Sequence, residues 1–320
     1  MTRWLLALAL ASSATWAQEW PAARPITMVV PFTPGGNVDF AARLLAEKLR
    51  QSLKQSVIVE NVPGAGGVVG VTRTVQAAPD GYSIVMGADS PISIAHLITP
   101  QTVPYNGLRD LAPVALVNSG PMMIVGKPGL PANTFAELVA LAKSQPGKLN
   151  YGTSGVGTIL QLAMERVKQQ AGIDVVHVPY KGGAPIVNDL LGNQIDLAML
   201  VAVSTVPHVK AGKIKGYAVT SRERLPSAPD VPALAETPAL KDFDMEVWLG
   251  IFAPAKTPSA IVERLNREIN AAVNSPDVRT KFEETGAKPG NLTVPQFRAF
   301  LEREQANYER IVRAAKIKLD

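Results

Sequence analysis

The chain is predicted to be α/β, with two α/β units joined by a two-strand hinge and a cleft between them. Three observations predict this. Short β-rich runs alternate with stretches of helical apolar spacing from residue 27 onward, an order that favours parallel sheets covered by helices. The alternation pauses at Gly120-Pro121 and then restarts. Gly-rich loops follow strands and open helices in both halves, and open α/β sheets take ligands outside the carboxyl ends of their strands.

In the first unit, residues 27–32 read as a strand. Val38, Ala41, Ala42, Leu45, Leu49 and Leu53 lie on one helical face, so 38–53 reads as a helix. Residues 56–60 form a second strand, 68–77 a helix and 83–87 a third strand, with Pro79-Asp80-Gly81 as the turn. The apolar run 122–125 is a strand crossing into the second unit. There 134–144 reads as a helix capped by Asn133 or Thr134. Strands at 149–151, 175–178, 197–200 and 216–220 alternate with helices at 158–170, 184–191 and 206–211. The Pro-rich segment 224–238 reads as an extended surface connection, and 246–253 as a strand crossing back. Helices at 259–274, 276–285 and 295–315 follow, and their simplest place is on the first unit. The expected division is 1–17 as a signal peptide, 18–122 plus 250–320 as domain I and 123–249 as domain II.

Length and composition agree with this. The chain has 320 residues, enough for two domains. It is 47% hydrophobic and 18% charged, a globular balance. The formal charge of +5 is dispersed, and Lys210, Lys213 and Lys215 make only a short basic cluster. No basic stripe with interleaved aromatics argues for nucleic acid, and none is expected as a partner. There is no Cys, which excludes disulfides, thiolate chemistry, Cys-ligated zinc and a lipid-anchored cysteine.

The N-terminus reads as a secretory signal. Arg3 supplies a positive region, 5–11 an apolar core, and Thr15-Trp16-Ala17 the small residues a signal peptidase reads. The apolar run is too short to cross ~30 Å of hydrocarbon. Cleavage after Ala17 leaves Gln18 first, removes Arg3 and lowers the formal charge from +5 to +4. The expected location is the periplasm, as a monomer with no cofactor.

Three loops could hold a ligand. In Phe32-Thr33-Pro34-Gly35-Gly36-Asn37-Val38-Asp39, Gly35 and Gly36 let a ligand approach the main chain. The helix start behind them offers unpaired N–H groups to a carboxylate or phosphate. Phe32 could form an apolar wall, and Asp39 sits in the first turn, where a negative charge suits the helix. A tight structural turn explains the same residues equally well. The second loop, from Gly64 and Ala65 through Gly66-Gly67-Val68-Val69-Gly70, raises a dinucleotide site and hence a nucleotide-dependent oxidoreductase. The fit is poor: Val69 stands where a third Gly is needed, and Asp89 is only a loosely placed acidic candidate. The third loop, Tyr151-Gly152-Thr153-Ser154-Gly155-Val156-Gly157-Thr158, mirrors the first and offers the hydroxyls of Ser154 and Thr158. It lacks the lysine of a phosphate-cradling loop. One anion seat per domain would suit a ligand with two carboxylates.

Catalytic signals are thin. His96, His177 and His208 show no metal spacing, Ser154 is not in a nucleophile elbow, and nothing pairs Asp39, Asp89 and Asp196. Lys181, in Val178-Pro179-Tyr180-Lys181-Gly182-Gly183, reads as a solvated turn lysine. No enzyme is expected.

Several collinear motifs resemble one family. They are 31–39; Glu60-Asn61 with Pro63-Gly64-Ala65-Gly66-Gly67; Pro79-Asp80-Gly81-Tyr82; Pro146-Gly147-Lys148-Leu149-Asn150-Tyr151; His177-Val178-Pro179-Tyr180-Lys181-Gly182; Ala211-Gly212-Lys213; and Trp248-Leu249-Gly250 with Ala253-Pro254. Together they resemble the Bug family of extracytoplasmic solute receptors, which serve tripartite tricarboxylate transporters, and the resemblance spans essentially the whole mature chain. It implies a type II periplasmic-binding-protein fold, a small carboxylate ligand and integral-membrane transporter subunits as partners. Phe32-x-Pro34-Gly35-Gly36, the turn that contains Thr33, matches the family's carboxylate-binding turn. Ser154, Gly155 and Thr158 match its second-domain contact, and Asp196 matches a recurrent Asp near the cleft. Two departures fall where specificity is set. Gln161-Leu162 replaces a usual His-Leu pair, and 199–205, which includes Ser204, is apolar and hydroxylic where an Asp-Asn pair is frequent. The same fold acting as a ligand sensor for a signalling receptor is the alternative.

Overall fold

The computed structural model describes residues 20–284 and 286–315. The expected signal peptide and its cleavage after Ala17 lie outside the described residues.

The first lobe begins β1 (Ile26–Val30), α1 (Asn37–Leu53), β2 (Val57–Asn61), α2 (Val68–Val75) and β3 (Ser83–Ala88). A π-turn at Ser90–Ile94 and the short helices α3 (Ala95–Ile98) and α4 (Gly107–Asp110) lead into β4 (Leu111–Gly126). The second lobe continues with α5 (Phe135–Ser144), β5 (Asn150–Thr153), α6 (Ile159–Ala171), β6 (Val176–Pro179), α7 (Gly183–Leu191), β7 (Leu197–Val201), α8 (Ala202–Lys210) and β8 (Lys215–Val219). Then come β9 (Glu246–Pro254), α9 (Ser259–Val273), α10 (Pro276–Glu283), β10 (Lys288–Pro289) and α11 (Val294–Ala315).

Two sheets share one design. In the first, β2, β1 and β3 run parallel, β9 lies antiparallel against β3, and β4 pairs with β9. In the second, β6, β5 and β7 run parallel, β4 lies antiparallel against β7, and β8 pairs with β4. β4 therefore serves both sheets. Leu111 to Pro121 pairs with β9, and Met122 to Gly126 pairs with β7. The return crossing is stitched to it by Thr220. Its Oγ1 accepts from Met122 N–H at 2.8 Å and donates to the Met245 carbonyl at 2.6 Å.

β4 is longer than its sequence suggests. Proline cannot donate to a ladder. Pro113 sits at a register shift, and Pro121 at the point where β4 changes partner sheets. Residues 90–98 are helical where no element is expected. The 224–238 segment is no surface strap either, since Leu225, Ala228, Val231, Ala233 and Leu234 are buried.

Amphipathic faces set the packing. Val38, Ala41, Ala42, Leu45 and Leu49 of α1 join Val262, Leu265 and Ile269 of α9 in the core of the first lobe. Helix α11 reaches further. Its Tyr308 is buried with second-lobe residues such as Met164 and Leu240, and its hydroxyl accepts from Trp248 Nε1–H at 3.1 Å. No helix among the described residues is long and apolar enough to cross a membrane.

Candidate ligand-binding site

The carboxyl ends of both sheets face one gap, and the lobes touch across it. Main-chain N–H of Ile159, the first residue of α6, donates to Ser90 Oγ at 3.0 Å. Gly35 and Gly36 lie against α7: a Cβ on Gly36 would sit 3.7 Å from Gly183 N. Gly155 is held at φ +141°, and a Cβ there would lie 3.2 Å from Gly66 Cα. The lobes meet around a cavity of about 40 Å³.

The first lobe lines the cavity with Phe32, Gly36, Asn37, Val38, Ala88, Asp89 and Ser90. The second contributes Ser154, Ile159, Leu160, Gly183, Leu200, Val201 and Ser204, and β9 adds Val247 and Leu249. One end gathers three helix starts. The caps of α1, α7 and α8 are Gly36, Gly182 and Val201, and none makes a side-chain cap. A Cβ on Gly183 would meet Leu200 at 3.6 Å, so these starts adjoin. Their leading N–H groups have no intrahelical partner and carry partial positive charge. No Lys, Arg or His is among the described lining residues. The side chains of Asn37, Ser154 and Ser204 have no hydrogen-bond partner among the described residues. The lining can hold an anion through main-chain N–H groups, an amide and hydroxyls.

The lining also holds one acid. Asp89 is 2% exposed. Ser90 Oγ–H donates to its Oδ1 at 2.7 Å, and Trp248 N–H to its Oδ2 at 3.1 Å. Burial pushes this carboxyl up to about 6, against the opposing donors.

Of the sequence-predicted residues, Phe32, Gly36, Asp89, Ser154 and Ser204 line the cavity. Thr33 and Gly35 lie at the contact with the second lobe; Thr33 Oγ1 is buried without a partner, against Gly182. Gly64 and Ala65 do not reach the lining; their loop meets the third loop through Gly66, against Gly155. Thr158 is buried as the cap of α6, its hydroxyl donating to the Gly155 carbonyl at 2.9 Å.

Two acids are placed elsewhere. The Asp39 carboxylate is filled by Gly35 N–H, Asn61 Nδ2 and Arg43 Nε at 2.9–3.0 Å. Burial raises its pKa, but these donors and the Arg43 charge outweigh that and hold it below the usual range. Asp39 thus shapes the loop without facing the cavity. Asp196 precedes β7, at the end of the strand away from the cleft. There it pairs with Lys127 at 2.7 Å and accepts from Asn150 N–H at 3.0 Å. At the expected second anion seat, the α6 start, two N–H groups are already used. Ile159 N–H is used by Ser90, and Gly157 N–H donates to Gln161 Oε1 at 2.7 Å.

Sequence reasoning overlooked Asn37, Ser90, Gly183 and the apolar wall. Asn37 follows the double glycine and Ser90 adjoins Asp89, so both were within reach. Leu200, Val201, Val247 and Leu249 carry no signal that separates a cavity wall from core. His177 is structural: its ring stacks on Tyr151 with centroids 5.0 Å apart, Nε2 lies 2.6 Å from Thr153 Oγ1, and burial lowers its pKa to about 4.

Two lobes of matching strand order that meet around a lined cavity are the arrangement of the type II periplasmic-binding fold. The chain belongs to the family described as the tripartite tricarboxylate transporter family receptor, TctC, whose model matches residues 41–317. It is 37% identical over 285 residues to a Pseudomonas sp. (strain P51) protein from the tcbD-tcbE intergenic region, covering 88% of this chain and 84% of that one. It is 35% identical over 304 residues to BugT of Bordetella pertussis, covering 95% and 92%. Among solved structures, periplasmic binding protein BugD aligns with TM-score 0.87 at 32% identity, over 92% of this chain and 99% of that one. R. palustris Rpa4515 with adipate aligns with TM-score 0.89 at 31% identity, over 93% and 99%. MatC from Rhodopseudomonas palustris with bound malate aligns with TM-score 0.86 at 30% identity, over 91% and 99%. The family and its structural neighbours are substrate-binding receptors rather than enzymes, which removes the oxidoreductase alternative.

Proposed function

We propose that the chain is an exported periplasmic receptor that closes its lobes around a small carboxylate and delivers it to the integral-membrane subunits of a tripartite transporter. The observation that carries this is the convergence of three uncapped helix starts, from both lobes, on one end of a cavity with no basic side chain in its described lining. An anion placed there bridges the lobes and so favours the closed form by its differential affinity. The lobes are residues 18–122 with 250–320, and 123–249, hinged where β4 and β9 cross. Two structural neighbours are named with carboxylates, adipate and malate, which supports the ligand class. The mature protein, from Gln18, is expected to act as a monomer.

A thermal-shift and calorimetric screen against mono-, di- and tricarboxylates with their neutral amides tests this. An acid at a hundredfold excess over its Kd stabilises the native state by ~2.7 kcal/mol, and its amide should give no shift. An amide that binds as tightly as its acid would overturn the reading.

A further inference from the structure

We infer that the Asp89 carboxylate takes up a proton from solvent when the receptor binds its ligand, so that the anion enters the cavity together with one proton. The inference rests on the carboxylate-receptor reading and deepens it, since it names the charge state in which the site accepts an anion. Asp89 lines the same cavity as the helix starts at Asn37 and Gly183. It is the one acid in the described lining, and no Lys, Arg or His stands there to balance a second negative charge. Its carboxylate is almost fully buried. It accepts from Ser90 Oγ–H at 2.7 Å and from Trp248 N–H at 3.1 Å, both neutral donors.

An anion in this cavity puts two like charges in one desolvated space, and neutralising one of them relieves both the repulsion and the burial of charge. Asp89 is the better proton acceptor of the two. Burial already pushes it up to about 6, whereas main-chain N–H groups, an amide and hydroxyls favour the charged form of the ligand. A like charge about 10 Å away or nearer, at an effective dielectric of about 20, carries such a carboxyl past neutral pH. The groups around Asp89 do not oppose this. Glu304 of α11 raises it further by like charge, and Tyr308 of α11 is held neutral by burial. Glu246 of β9 is paired with Lys288 at 2.7 Å, and Asp39 of α1 with Arg43 at 2.9 Å. His96 of α3 has Glu309 as its charged neighbour. The parts of α6, α7 and α8 that line the cavity are uncharged. Protonation removes the charge on Asp89 and turns an oxygen that only accepts into one that donates.

The test is calorimetric titration of the mature chain with acetate, butanoate, malate and adipate, with butanamide as the neutral control. The tightest binder is then titrated at pH 7 in two buffers of unequal ionisation enthalpy, which together count the protons exchanged. About half to one proton should be taken up per ligand. Because binding takes up a proton, affinity should fall as pH rises, by about fivefold or more between pH 6 and 8. Asp89→Asn has the neutral charge at the same size, so it should take up no proton, keep its affinity within about twofold over that range and bind more tightly than wild type at pH 8. Glu304→Gln should keep the uptake. A binding enthalpy that does not depend on the buffer, an uptake that survives Asp89→Asn, or one that is lost in Glu304→Gln overturns this inference and leaves the receptor reading standing. Butanamide that binds as tightly as butanoate, or binding of none of the four acids, overturns both. If Asp89→Asn does not fold, the wild-type buffer dependence and Glu304→Gln still decide the question.

Discussion

Replacing Ser90 with alanine tests how closure is held. Ser90 Oγ accepts the Ile159 N–H across the cleft at 3.0 Å and donates to Asp89 at 2.7 Å. In the closed form of Ser90→Ala, the Ile159 N–H is buried with no acceptor, which costs about 1–3 kcal/mol. In the open form, water satisfies the same N–H, so this loss falls on closure and hence on affinity. The lost donation to Asp89 is common to both forms and falls on stability. Ligand affinity should therefore drop about 5- to 150-fold. Calorimetry with the acid that gives the largest thermal shift reads the change. Small-angle scattering should show a smaller ligand-induced compaction at subsaturating acid. An affinity within twofold of wild type would refute the latch.

Other outcomes follow from the same geometry. Gly36→Val should weaken binding about tenfold or more while the ligand-free melting temperature stays near wild type, because Gly36 has an ordinary φ of −82° and its new side chain enters the anion seat; Gly35→Val, at φ +84°, should instead destabilise the fold by about 1–2 kcal/mol. Asp196→Ala, which breaks the pair with Lys127, should cost about 1–3 kcal/mol in urea unfolding and leave affinity unchanged; a comparable loss of affinity would return Asp196 to the cleft. Asp89 sets a pH dependence. Its folded pKa of about 6 exceeds the usual 3.8, so its contribution to stability is full below 3.8 and is lost as pH rises through 6, by roughly 3 kcal/mol. Compared with Asp89→Asn by urea unfolding, wild type should fall behind by about that amount between pH 4 and 7, and a flat difference would show the carboxyl to be unperturbed.

Much of the fold was legible because its signals are local. The apolar face from Val38 to Leu53 sets α1, which the structure places at Asn37–Leu53, and the restart after Gly120-Pro121 marks the crossing of β4. The first half of β4 was hidden because Pro113 and Pro121 occupy places that spare the ladder, a register shift and a change of partner. The site was half legible. A double glycine before a helix announces a close main-chain approach, and Gly36 lines the cavity. Asp196, at the start of β7, joins the expected cleft residues through the family resemblance alone, and no signal in the residues themselves tells which end of the strand it faces. Nor does it separate a capping hydroxyl from a free one: Thr158 is consumed by Gly155, while Ser154 is available.

The most direct test of the central claim is a crystal structure of the mature chain with the tightest-binding acid of the panel. The account requires one carboxylate oxygen within hydrogen-bond distance of the leading N–H groups of both α1 and α7, near Asn37 and Gly183, with the lobes closed. A carboxylate bound at the α6 start beside Thr158, or outside the cleft, would contradict it.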